Sequence, residues 1–466
     1  MLADLPWLKN SDGIDIELLE SKDEGKCLKG FEDRVKEIKL MDDGVEKEIL
    51  AGIILDELSG LPIEEGYGYL EPSDLAGITA GKPRSELPFK VDKSNLCSDK
   101  LYTKLCSDEL YNKIYGAWLG RCAGCLLGQP IEGWYRSRIT SLLKGTDNYP
   151  LDHYMSSMVP TNIKEECDVS DYPGIYGNKM KGWINNVEHM PEDDDINYTI
   201  MGLKIVEKYG IDFTSENVAE CWLDNLPILH LCTAERVAYR NLVNMKLPPH
   251  SAHDRNPYRE WIGAQIRADF YGYIAPGNPE LSSSMAWRDA SISHTKNGIY
   301  GEMFVAAMLS AAAVTDNIEN IIHTGISMIP EKSRLYENIK TVLDWKRAGN
   351  SWEYVLDRIH QIYDEKNAHD WCHTVPNAMI VCIGLLYGDL NFGKSIGIAV
   401  MAGFDTDCNG ATVGSILGML LGANTIPDKW IKPLNNRLKS GIDGFGLVEI
   451  SDLAYRTVDI AKRILC

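Results

Sequence analysis

A chain of 466 residues, 44% hydrophobic and 24% charged, has the composition of a folded globular protein with material for one large or about two to three ordinary domains. Its net charge of −20, from 47 basic against 67 acidic residues, argues against a duplex-binding surface, which needs clustered Lys and Arg, so no nucleic-acid partner is expected. Twelve cysteines are too sparse for a disulfide scaffold. The opening MLADLPWLKNSDG lacks the basic-then-apolar order of a secretory signal, and no apolar run reaches the roughly 18 residues of a membrane span. A soluble, cytoplasmic protein with no membrane partner is expected.

Residues 1 to about 105 are charge-rich, with one helical pattern in FEDRVKEIKLMDDGVEKEILAGIILDELSG and a Gly/Pro-punctuated stretch after it. We read them as an N-terminal extension or small helical subdomain, ahead of a main domain over 106–466. From about Leu110 onward the 3.6-residue period dominates, which predicts a mostly α protein.

Two helices of that domain share an uncommon device. In YGAWLGRCAGCLLGQP the glycines fall at 116, 120, 124 and 128, and in GATVGSILGMLLGANTIP at 410, 414, 418 and 422. Each costs a helix about 1 kcal/mol relative to Ala, so close approach to another helix is expected to offset it. Cys122 and Cys125 have the CxxC spacing of zinc and redox sites, but no second pair accompanies them. Like Cys221, Cys232 and Cys382, they are read as buried thiols.

The stretch MPEDDDINYT places Glu192, Asp193, Asp194 and Asp195 before a helical pattern that Gly210 closes. Free N–H groups and the helix dipole favour one or two acids there, but four add a like-charge repulsion that capping does not require. A second acidic turn, GFDTDCNGATVG, sets Asp405 and Asp407 two apart in a segment read as extended, pointing to one side, before a helix predicted to start near Asn409. Two such clusters suit a hard divalent cation with oxygen ligands. A surface DxD pair remains the alternative.

The order GAWLGRCAGCLLGQPIE, PEDDDINYT, ISHTKNGIYGEMFVAAM, GFDTDCNGATVGSILGMLLG, over about residues 110–430, resembles the ADP-ribosylglycohydrolase family, which includes dinitrogenase-reductase-activating glycohydrolase and the ADP-ribosyl-acceptor hydrolases. The resemblance implies an all-α, compact orthogonal helical bundle with two Mg²⁺ or Mn²⁺ ions, hydrolysing the bond between ADP-ribose and an acceptor. The family's Thr-Asp-Asp ligand run falls on Asp193, Asp194 and Asp195, with an acid replacing Thr. Its Asp-x-Asp-Thr run falls on Asp405, Asp407 and Cys408, with a softer thiol replacing the hydroxyl; Asn409 or Asp193 is the alternative ligand. Asp194 and Asp195 are expected to bind directly, Asp193 as a third, and Glu192 to cap or face solvent.

Glu132, in GQPIEGW, is the implied residue for deprotonating water, with Asp194 beside it in catalysis; without the resemblance Glu132 is a surface acid in a turn. The family's middle-helix histidine falls on His294, in SISHTKNG, as an implied substrate contact with a capping or core role as the alternative; His373, in DWCHTVPNA, lines the cleft or caps a helix, and Asn409 is a further substrate-binding candidate. Arg267 and Tyr271, in NPYREWIGAQIRADFYGYIAPGN, fit either an aromatic wall for adenine or the core.

The function expected is metal-dependent hydrolysis of an N- or O-glycosidic bond at the ribose of an ADP-ribosyl or related substrate, free or protein-attached. A two-metal phosphoesterase acting on a nucleotide-like substrate is the first alternative, although the ten histidines include no HxH pair. A non-catalytic ADP-ribose-binding protein is the second, kept open by the two replaced threonines. The leaving group and the oligomeric state are not specified by the sequence.

Overall fold

The computed structural model describes residues 5–84, 108–171 and 182–465. Among these residues the fold is all-α, as expected. The strands are β1 (Arg437–Lys439) and β2 (Leu447–Glu449), antiparallel with Leu438 opposite Val448. Among the described residues, no helix is long and apolar enough to cross a membrane. The boundary expected near residue 105 lies outside the described residues.

The centre is a pair of helices, Asp108–Gly128 and Thr406–Leu421. A Cβ built on Gly116 would lie closer than 3.0 Å to Gly418 backbone, one on Gly120 to Gly414, one on Gly124 to Gly410, and one on Gly128 to Thr406. The partner number falls as the first rises, so the helices run antiparallel with their backbones in contact. Close packing of whole backbones offsets the propensity cost of the glycines. The register also fixes chemistry, because the last turn of the first helix meets the first turn of the second. There the Thr406 hydroxyl donates to the Gly128 carbonyl at 3.0 Å.

Helices Lys296–Ala312 and Thr374–Tyr387 are buried all round, except at Lys296, and form the core behind this pair. Near the N-terminus the single expected helical pattern is two helices, Phe31–Leu40 and Val45–Ser59, divided at Gly44. With helix Ile14–Asp23 they enclose a small apolar cluster of their own, including Ile14, Val35 and Leu58. The seam to the main body carries buried ion pairs: Arg259 bonds Glu17 at 2.6 Å and Glu24 at 3.1 Å, and Arg334 bonds Glu71 at 2.9 Å.

Candidate active site

Three short segments converge where the glycine helices meet. The first is the turn Gln129–Glu132 that ends helix Asp108–Gly128. The second is the start of helix Asp194–Tyr209, whose N-cap is Asp193; the Asp193 carboxylate accepts from the Asp195 N–H at 3.1 Å. Met190, just upstream, is tied to β1 by two backbone bonds of 2.9 Å, with Arg437 and Lys439, which fixes where this acidic run begins. The third is Asp405–Cys408. Gly403 and Phe404 both have positive φ, +77° and +55°, a conformation costly for a bulky residue such as Phe. The Trp371 indole holds the Phe404 carbonyl at 2.8 Å, and the Asn377 side chain accepts the Asp405 N–H at 3.2 Å. These bonds hold the reversal that delivers Asp405 into the centre.

Helix Thr406–Leu421 begins three residues before Asn409, with Asp405 as its N-cap, so Asp407 is helical. The expected extended pairing of Asp405 and Asp407 is therefore corrected; a helix start brings the two acids together. One carboxylate oxygen from each of Asp193, Asp195 and Asp407, with the Cys125 sulfur, lie within 4.8 Å of one another. Asp405, Asp407 and Cys408 form a second group on the same criterion, sharing Asp407. Asp193, Asp195, Asp405, Asp407 and Cys408 are all buried, whereas Asp194 and Glu132 are half-buried and edge the site.

So many carboxyls out of water repel one another. Burial, then Asp194, Asp195 and Glu132, hold Asp193 well above the usual carboxylate range; burial, then Glu132 and Asp405, do the same to Asp407. Burial pushes Asp405 up to about 6. Asp195 is pushed up to about 8, chiefly by burial, against the opposing pull of Arg121. Arg121 is fully buried, bonding Asp195 at 2.9 Å and Asp269 at 2.8 Å. Removing this cation leaves two buried acids uncompensated, so Arg121→Met is expected to lower unfolding free energy by about 3 kcal/mol, measurable by urea denaturation.

Carboxyls whose folded pKa exceeds the unfolded value near 3.9 stabilise the fold below that value and lose that contribution as pH rises through the folded one. The metal-free chain is therefore expected to melt at progressively lower temperature from about pH 4 through 6, the Asp405 window, and on through about 8, the Asp195 window. Thermal melts in chelator across that range check the sign.

A family model described as ADP-ribosylglycohydrolase matches residues 107–459, which include every acid of this centre. The chain belongs to the ADP-ribosylglycohydrolase family. Membership supports a glycosylhydrolase-type enzyme acting on ADP-ribosyl substrates. A solved structure described as "ADP-ribosylglycohydrolase-related protein complex" is 16% identical, covers 77% of this chain and 100% of its own, and has a TM-score of 0.47. No match was found among curated proteins.

Around this acidic centre several expected residues take other places. Glu192 neither caps nor faces solvent: it is buried, accepting from Asn197 at 3.1 Å and bonded to the His230 ring. His294 is buried beside Ser293, at 2.8 Å, and 3.9 Å from Glu235, outside both acid groups. His373 caps the helix Thr374–Tyr387 by accepting from Val375 N–H at 3.1 Å, and it groups with Glu20 and His369. The Asn409 amide donates to Asn377 at 2.7 Å, which also holds the Asp405 backbone, so Asn409 braces the acid turn. Arg267 and Tyr271 are core residues paired with Asp289, not a cleft wall.

Residues not singled out as site members now appear. Gln129 donates to the Asp193 carboxylate at 2.8 Å, Arg121 pins Asp195, and the Cys372 thiol lies 3.7 Å from an Asp405 oxygen. Arg121 carried a readable signal, as the one charged residue in the apolar run AWLGRCAGCLLG.

Proposed function

We propose that this member of the family hydrolyses the N- or O-glycosidic bond at the ribose of an ADP-ribosyl or related substrate, with divalent cations held between its two acidic arms. Convergence carries this reading: carboxylate oxygens from segments two hundred residues apart meet in a buried space. Among the described residues, Asp195 Oδ2 and Asp407 Oδ1 are buried there without a hydrogen-bond partner. Oxygen ligands in excess of compensating positive charge fit a hard or borderline divalent cation.

Asp193, Asp195, Asp405 and Asp407 would hold two such ions from within, with Asp194 at the rim. Bound cations would lower the pKa of a water and orient the ribose diol. Glu132 stands at the edge of the same field, close enough to raise both Asp193 and Asp407, and it is the group placed to take the water's proton. Asp194, half-buried at the rim, would stabilise the positive charge of an oxocarbenium-like ribose by its carboxylate. Gln129 keeps Asp193 oriented, and Arg121 keeps Asp195 from turning away.

Replacing Glu132 with Gln is expected to reduce turnover about a hundredfold or more while leaving metal binding within a few-fold of the parent. Parallel calorimetry and rate measurement separate the two. If Glu132→Gln turns over at the parental rate, the water-activating role assigned to it is wrong.

A further inference from the structure

We propose that this centre is a mixed oxygen and thiolate site, with Cys125 and Cys408 among its ligands, and that it prefers a thiophilic divalent cation such as Zn²⁺, Co²⁺ or Cd²⁺ to an extent an all-oxygen site would not. The inference rests on the metal-assisted reading above and names the class of cation that this chain's own residues select.

Buried cysteines are usually small hydrophobes, and Cys382 is one such: burial alone raises its pKa. Cys125 sits otherwise. Its sulfur belongs to the same 4.8 Å group as oxygens of Asp193, Asp195 and Asp407. Cys408 belongs to the second group, with Asp405 and Asp407, and is buried with them. The two thiols come from opposite helices. Cys125 follows Gly124, Cys408 precedes Gly410 by two, and those glycines are in backbone contact. The same close approach that builds the centre therefore places sulfur on both sides of it. The unpartnered Asp195 Oδ2 and Asp407 Oδ1 are an independent sign of an unfilled coordination demand in the same space.

Mg²⁺ demands near-octahedral oxygen and gains little from sulfur, whereas Zn²⁺, Co²⁺ and Cd²⁺ bind thiolate strongly. Ligation replaces the S–H bond of each participating cysteine with an S–metal bond and releases that proton to buffer. The thiolate supplies both electrons, and nothing is oxidised. Cys122, in the same CxxC, belongs to neither group, so the pair is not a zinc ribbon; one member faces the acids and the other does not.

The test uses the full chain, stripped of metal and reloaded with Co²⁺. Expected are a sulfur-to-cobalt charge-transfer band in the near ultraviolet and a ratio of Cd²⁺ to Mn²⁺ affinity that falls about tenfold or more in Cys125→Ser or Cys408→Ser. Cys382→Ser should leave both unchanged. Circular dichroism establishes that each variant is folded, and the band in the unsubstituted chain is read independently of them. Co²⁺ binding without a charge-transfer band, or an unchanged Cd²⁺ to Mn²⁺ ratio in both variants, overturns the thiolate inference while leaving an oxygen-ligated centre standing. Failure of every divalent cation to bind the unsubstituted chain overturns the metal-assisted reading itself.

Discussion

Replacing Asp407 with Asn is expected to abolish tight divalent-cation binding and to lower glycohydrolase turnover by about a hundredfold to a thousandfold, yet to leave the metal-free protein as stable as the parent or more so. Both halves follow from position. Asp407 belongs to both ligand groups, so its loss removes one oxygen from each. In the metal-free chain the same carboxyl is buried against Glu132, Asp405, Asp193 and Asp195, a repulsion that the neutral amide relieves. Residues kept for function at the expense of the fold behave this way. Isothermal titration, turnover and a thermal melt in chelator give the three readouts. A variant with reduced metal-free stability and undiminished metal binding would make Asp407 a structural residue.

The second large effect concerns the scaffold. Gly124→Val is expected to destabilise the chain by about 4 kcal/mol or more, or to prevent its recovery in folded form, although replacing a helical glycine ordinarily costs little or helps. A Cβ at residue 124 meets the Gly410 carbonyl group, backbone of a helix that cannot swing aside like a side chain. Prising the helices apart there also separates Gly128 from Thr406, and with them the turn bearing Glu132 from the turn bearing Asp405 and Asp407. Gly133→Ala is the contrasting control for steric crowding, since nothing lies within 4 Å of a Cβ there, and its φ of +76° predicts only a local strain cost of about 1 kcal/mol. Chemical denaturation of the pair distinguishes backbone collision from a general intolerance of substitution.

The glycine helices were readable because four spaced glycines in each violate helix propensity so plainly that packing must offset it. The acids were readable for a similar reason, since a run such as Glu192–Asp195 is unfavourable unless something neutralises it. What each acid does was less legible. Glu192 lies next to ligands in sequence, yet its partner His230 is in a separate turn 38 residues on, and only the fold turns it inward. The start of helix Thr406–Leu421 was displaced because Thr406, Asp407 and Asn409 resemble loop residues; burial against Gly128 overrides that local preference. His294 and His373 show the limit for single histidines, because spacing along the chain does not say which face of the fold an imidazole meets. Gln129 and Cys125 were hidden for the same reason, their partners being at least sixty residues away in sequence.

The most direct test of the central claim is product analysis on the full chain with an ADP-ribosylated substrate, before and after removal of divalent cations and after their return. Release of intact ADP-ribose, lost in chelator and restored by added cation, is the predicted result. Turnover undiminished in chelator, or release of inorganic phosphate or AMP in place of ADP-ribose, would contradict it.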